Sequence, residues 1–210
     1  MDIYELNRMA CEDATAFRVV PRAACVAAVR EFAQQRRSEI RLHHEAGESG
    51  SATLRHLTEL CDTIVRIATN FAAAQTTSPQ RIMQQTAICA LGGYGRREMS
   101  PHSDLDISLV LDNALTADIE TLNAFLLPFF WDIGFRAGYT LHTVQEAASL
   151  AAEDPKVFTT YSQARLIQGD TITFGRLKLL LSDFDANGRE DILAYVRRRE
   201  RPELLPEEQR

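Results

Sequence analysis

The sequence predicts an α+β fold, a small mixed sheet flanked by helices on its N-terminal and C-terminal sides. Three observations predict it. Two long stretches before residue 75 repeat apolar residues at helical spacing, short apolar runs ending at glycines follow, and helical periodicity returns after residue 144.

The first helix is expected over residues 21–44. Pro21 suits a first helical position, and Cys25, Val26, Val29, Phe32 and Ala33 recur at three- and four-residue steps. Gly47 and Gly50 break the pattern. A second helix is expected over residues 51–74, with Leu54, Leu57, Leu60, Cys61, Ile64, Ile67, Ala68 and Phe71 in one stripe. Thr76, Thr77, Ser78 and Pro79 make the next break, the best internal boundary. The expected division is a helical region over residues 1–80, a core over 81–150 and a C-terminal helical region over 151–210.

Residues 86–91 form an apolar run that stops at Gly92-Gly93, which fits a buried strand. Residues 105–111 form a second strand. Leu105, Ile107, Leu109 and Leu111 face one way, and Asp104, Asp106, Ser108 and Val110 the other. A helix is expected from Ala117, with Asp118 and Glu120 in its first turn, where the helix dipole favours acids. Leu122, Phe125, Leu126 and Phe129 form its buried face, Trp131 reads as core, and Pro128 should kink or end it. Gly134 and Gly138 bracket a third strand over residues 135–142. Helical pieces are expected over residues 144–152, 155–167, 171–181 and 189–199, before a polar tail.

The chain of 210 residues is 45% hydrophobic and 25% charged, the composition of a soluble globular protein. No apolar run reaches the roughly 18–20 residues of a membrane span. The first ten residues lack the apolar centre of a secretory signal, so a cytoplasmic location is expected. A net charge of −6 argues against gripping a nucleic-acid backbone. Cys11, Cys25, Cys61 and Cys89 are far apart and read as bland or buried thiols, with neither zinc nor disulfides expected.

The chemistry concentrates between residues 92 and 106. Asp104 and Asp106, two apart on a strand, leave the same face with Cα atoms roughly 6–7 Å apart. Carboxylates that close raise each other's pKa unless a cation lies between them. Mg²⁺ bound by one or two carboxylates, with waters and substrate phosphates completing its octahedron, matches this count. Gly92 and Gly93 let backbone amides approach an anion with no Cβ in the way. Arg96 could add a bidentate phosphate contact, and Ser103 a hydroxyl at the same mouth. Together these supply the positioning and charge neutralisation that nucleotidyl transfer needs. The segment is neither a Walker loop, lacking Gly-Lys-Ser/Thr, nor a dinucleotide fingerprint, having Glu98 at the third glycine's place. Arg97 reads as a surface cation, His102 as an incidental loop histidine, and Glu98 as a partner that orders the loop. His43-His44 has no third ligand nearby, and Arg197-Arg198-Arg199 suits a helix end.

The pattern Gly-Gly-Tyr-Gly-Arg-x-Glu-x-x-Pro-x-Ser-Asp-x-Asp resembles the signature of PII-protein uridylyltransferases, the bifunctional uridylyltransferase/uridylyl-removing enzymes of the DNA polymerase β-like nucleotidyltransferase superfamily. The resemblance continues through Phe130-Trp131-Asp132-Ile133-Gly134, Thr143-Val144-Gln145-Glu146 and Ala164-Arg165-Leu166-Ile167-Gln168-Gly169-Asp170. It implies a sheet of that superfamily's type. Gly92 and Gly93 would hold the triphosphate of UTP and Asp104 and Asp106 the Mg²⁺. The acceptor would be a tyrosine of a PII-type protein in nitrogen regulation. No membrane and no nucleic-acid partner is expected.

Two departures stand beside it. The superfamily often adds a third carboxylate on the next strand, where this chain has no acid between Arg136 and His142, although the resembling uridylyltransferases tend to have a polar residue there. Nothing after Asp170 supplies a His-Asp pair, so removal of the uridylyl group and glutamine sensing are not expected of this chain. Two rival readings stay open: a catalytically inactive nucleotide-binding or docking module, and a nucleotidyltransferase with another acceptor.

Overall fold

Long helices form first along the chain because their apolar residues keep helical spacing over several turns. In the computed structural model, which describes residues 3–12, 14–113 and 116–187, α1 (Ile3–Glu12) and a 3-10 turn (Ala14–Val19) precede α2 (Arg22–Glu45) and α3 (Gly50–Ala74). Ser49 caps α3, its hydroxyl accepting from the Ala52 amide. α3 is buried along most of its length and packs against α1, α2 and the 3-10 turn.

The short helix α4 (Pro79–Met83) leads into strand β1 (Thr86–Ala90), followed by α5 (Gly92–Gly95) and β2 (Leu105–Leu111). Then come α6 (Ala117–Asp132), β3 (Ala137–Thr143), α7 (Val144–Glu153), α8 (Pro155–Ser162), β4 (Arg165–Gly169) and α9 (Thr171–Asn187). The four strands lie in the order β3-β2-β1-β4. β1 runs antiparallel to both β2 and β4, and β2 runs parallel to β3, so the sheet is mixed. The fold is the α+β class read from the sequence.

Alternation along β2 divides the interior in two, as period-2 geometry requires. Leu105, Ile107, Leu109 and Leu111 join Ile88, Ala90 and Ile167 in a core shared with α1, α2, α3 and α6. Val110, Ala87 and Cys89 face the other way, into a second core with Val144, Ala147, Phe158, Tyr161 and Leu177 of α7, α8 and α9. Helices thus cover both faces, but β3 is an edge strand whose Gly138 and Thr140 stay exposed.

Three expectations need correction. Residues 165–167, read as the end of a helix, belong to β4: α8 stops at Ser162, and Leu166 and Gln168 register against β1. Of the kink or end expected at Pro128, the end does not occur; α6 continues to Asp132 because Leu126, Phe129 and Phe130 are packed in the core, with the Phe129 ring 5.6 Å from that of Phe71. Trp131 is 60% exposed, since the stripe of Leu122, Leu126, Phe129 and Phe130 takes the buried side of α6. The helix expected over residues 189–199 and the tail lie outside the described residues. Cys25, Cys61 and Cys89 are buried free thiols, each pushed up to about 12 chiefly by burial. No helix among the described residues is long and apolar enough to cross a membrane.

Candidate active site

β1 ends beside the start of β2, with Ala90 opposite Ile107, and the Leu91 amide donates to the Asp106 carbonyl at 3.0 Å. That bond ties the glycine turn to the strand carrying the carboxylates. Gly92 takes a left-handed φ of 54°, which turns the chain sharply into α5. The leading amides of a helix have no acceptor within it, so those of Gly92, Gly93 and Tyr94 are free to meet an anion.

Asp104 and Asp106 flank buried Leu105 and are both exposed. Asp106 lies between the turn and the edge strand. A Cβ on Gly92 would sit 3.8 Å from its Oδ2, and a Cβ on Gly138, its register partner in β3, would overlap its Oδ1. Desolvation, and then the negative charge of Asp104, raises the Asp106 carboxyl above its ordinary range. Asp104 in turn has its Oδ1 3.3 Å from Nε of Arg136, a side chain 84% exposed.

This donor set fits a hard divalent cation. Both donors are carboxylate oxygens, they repel one another, and Asp104 already attracts a cationic side chain. No cluster of three His, Cys, Asp or Glu occurs among the described residues, so waters and a substrate's phosphates would complete the coordination. On β3 the positions alongside Asp106 and Ser108 are Gly138 and Thr140, neither an acid.

The remaining sequence candidates gather around the same turn in different ways. Arg96 is engaged by Glu98 (Nε to Oε2, 2.7 Å) and by Gln163 (Oε1, 2.5 Å), so contact with phosphate requires it to exchange those partners. Glu98 thus orders the loop, as its place predicts. The Ser103 hydroxyl lies 2.7 Å from that of Ser100 and accepts from the Ser100 amide at 3.3 Å. His102 lines a separate cavity of about 430 Å³ with Arg37, Arg41 and His44.

Sequence reasoning missed the support behind the turn. Asp62, buried on α3, accepts a bidentate pair of hydrogen bonds from Arg165 at 2.9 Å each, and the same guanidinium lies 5.5 Å from the ring centroid of Tyr94. Thr58, one turn earlier, accepts from the Met99 amide at 3.4 Å. The available signal was an acid inside the apolar stripe of α3. Only β4, which the sequence reading lacked, brings its partner to it.

A mixed sheet with a glycine turn and a carboxylate pair at one end fits a nucleotidyltransferase-type domain, the class to which the family comparison assigns the chain. The family model described as "Putative nucleotidyltransferase DUF294" matches residues 34–141, and the chain belongs to that family. Curated relatives named bifunctional uridylyltransferase/uridylyl-removing enzyme are similar to most of it. The Rhodospirillum rubrum protein is 29% identical over 160 residues, covering 75% of this chain and 17% of its own length. The Nitrosospira multiformis protein is 31% identical over 155 residues, covering 71% and 17%. The Novosphingobium aromaticivorans protein is 29% identical over 185 residues, covering 87% and 20%. The chain therefore spans about a fifth or less of the length of these relatives.

Proposed function

We propose that this domain transfers UMP from UTP to a protein hydroxyl, a tyrosine of a PII-type signalling protein, and releases pyrophosphate. The observation that supports the reading is that Asp106 lies beside the Gly92 turn and feels the negative charge of Asp104 two residues before it. The names of the relatives support the uridylyl group, and the tyrosine acceptor follows from the motif's resemblance to the PII-protein uridylyltransferases.

In the reaction the acceptor oxygen bonds to the α-phosphorus, the bond from that phosphorus to the pyrophosphate oxygen breaks, and the hydroxyl proton leaves to solvent or a nearby base. Asp104 and Asp106 would hold Mg²⁺, which would supply charge neutralisation on the phosphates and the leaving group. The amides at Gly92 and Gly93 bind the polyphosphate, with Ser103 at the rim and Arg96 recruited from Glu98. Arg136, whose Nε lies 3.3 Å from Oδ1 of Asp104, would orient that carboxylate.

Incubation of the chain with α-labelled UTP, Mg²⁺ and a PII-type protein tests this. Label should pass to the acceptor, and Asp104→Asn and Asp106→Asn should each reduce transfer by about 10²-fold or more. Undiminished transfer by both variants, or none by the native chain, refutes the reading.

A further inference from the structure

The loop that leads to Asp104 also borders the cavity of about 430 Å³ noted above at His102. Pro101 and His102 come to it from the loop, Arg37, Arg41 and His44 from α2, and Leu57 from α3. Nothing in the carboxylate site uses these α2 and α3 residues.

Its charge runs against that of the whole chain. The sequence has 29 acidic side chains against 23 basic ones, yet no Asp or Glu lines this cavity. Arg37, Arg41 and His44 follow at four- and three-residue steps, so they share one face of α2. The Arg37 guanidinium lies 4.3 Å from the ring centroid of Phe135, and no carboxylate among the described residues pairs with it. Stacking on a ring occupies the flat face of a guanidinium and leaves its N–H edge for an oxyanion. Arg41 reaches Glu45 at 3.7 Å with both side chains exposed, a weak surface contact that an incoming anion can displace. Nδ1 of His44 lies 3.1 Å from the Thr53 hydroxyl, which holds the ring and leaves Nε2 for another partner.

Apolar surface accompanies these donors. Ile40, Leu57 and Pro101 line the same cavity, and its volume falls within the about 300–1,000 Å³ usual for small-molecule sites. Apolar walls with a few convergent polar groups on one side suit a ligand with an apolar body and one charged head.

We propose that this cavity binds an organic anion, a carboxylate or phosphate monoester carried on a compact apolar body. The head takes the N–H edges of Arg37 and Arg41, the planar donors that match such oxyanions. The body packs on Leu57 and Pro101. Because Pro101 and His102 stand three and two residues before Asp104, the bound ligand rests against the loop that presents that carboxylate. The site stands whether or not the domain transfers a nucleotide.

Calorimetry on the full chain tests it with naphthoate and naphthyl phosphate as probes. Naphthol carries the same body without the charge, and inorganic phosphate the head alone. Native protein should bind at least one aryl anion saturably, and naphthol and inorganic phosphate about tenfold more weakly or worse. The preference between the two anions tells a carboxylate ligand from a phosphate one. Arg37→Met and Arg41→Met alter exposed side chains, and thermal melting should confirm that both fold. Each should weaken the aryl anion about tenfold, the scale of a lost charge-assisted hydrogen bond. Arg30→Met removes an exposed guanidinium from the same helix outside the cavity and should leave binding within about twofold. No saturable binding of either anion, unchanged binding in both cavity variants, or equal weakening by Arg30→Met overturns the proposal. Displacement of the probe by tripolyphosphate with Mg²⁺ also overturns it, since the anion would then sit at the glycine turn.

Discussion

Single atoms decide how Asp106 is presented. Its Oδ1 occupies the space a side chain at Gly138 would need, and its Oδ2 faces Gly92. Gly138→Ala therefore forces either the carboxylate or the edge strand to move. Overpacking of this kind costs about 1–3 kcal/mol of stability. The larger effect should be on the proposed nucleotidyl transfer, down about 10²-fold, because a displacement near 1 Å at a reacting centre is enough for that. Steady-state rates and a denaturant titration of the variant check both figures, and transfer within twofold of native would show that Asp106 is not held as described. The residue scale is also where the sequence was most readable. The carboxylates, Gly92 and Gly93 could be picked out because a short motif carries them. The fate of Arg96 could not, since its second partner, Gln163, lies 67 residues away.

Elements bring distant residues into the brace behind the turn. α3 presents Asp62, β4 presents Arg165, and α5 presents Tyr94, so the signature loop rests on an ion pair from two other parts of the chain. Both members are well covered, with side chains 8% and 17% exposed. Removing one partner leaves the other charge desolvated, and Asp62→Ala should cost about 3–5 kcal/mol in equilibrium unfolding. The double variant with Arg165→Met should recover part of that loss. A cost below about 1 kcal/mol for the single change would mean the pair is not a brace. β4 was hidden in the sequence for a related reason. Its five residues are too few to show a clear alternation, and the helical spacing of α8 runs into them. α6 runs through Pro128 because local propensity yielded to burial: Leu126 before the proline and Phe129, packed on Phe71, after it both lie in the core. The two long helices and β2 were legible because each keeps one period over its length, and β1 because its apolar run stops at two glycines.

Across the molecule, three acidic side chains act as fasteners at the junctions of elements. Asp118, at the start of α6, accepts from the Thr77 hydroxyl at 2.7 Å and the Thr77 amide at 2.9 Å. Glu146 and Thr143 form the capping box of α7, and Asp170 accepts from the Thr173 hydroxyl at 2.7 Å at the start of α9. The hydrogen bonds from these threonines hold all three carboxyls below their ordinary range. Folding thus favours the ionised forms. The stabilisation is fully present above the unfolded-state values near pH 4 and is lost as pH falls through the lower folded-state values. Melting temperature followed from pH 6 downward should drop most steeply below about pH 4. Thr77→Val should flatten that fall, and an unchanged acid profile would remove Asp118 from the account. At the same scale, the sheet divides the interior so that one face is sealed by α1, α2, α3 and α6, while the other leaves an opening beside β3. The sequence predicted helices before and after the sheet in the chain, but the opening depends on how α7 and α8 pack, which no periodicity encodes.

The claim that two carboxylates hold a divalent cation for a polyphosphate is tested most directly by titrating the chain with Mn²⁺ in the presence of UTP, following free Mn²⁺ by its paramagnetic resonance signal. The account predicts saturable uptake by the native protein and uptake no greater than that of UTP alone when Asp104→Asn and Asp106→Asn are combined. Equal uptake by the native chain and the double variant would contradict it.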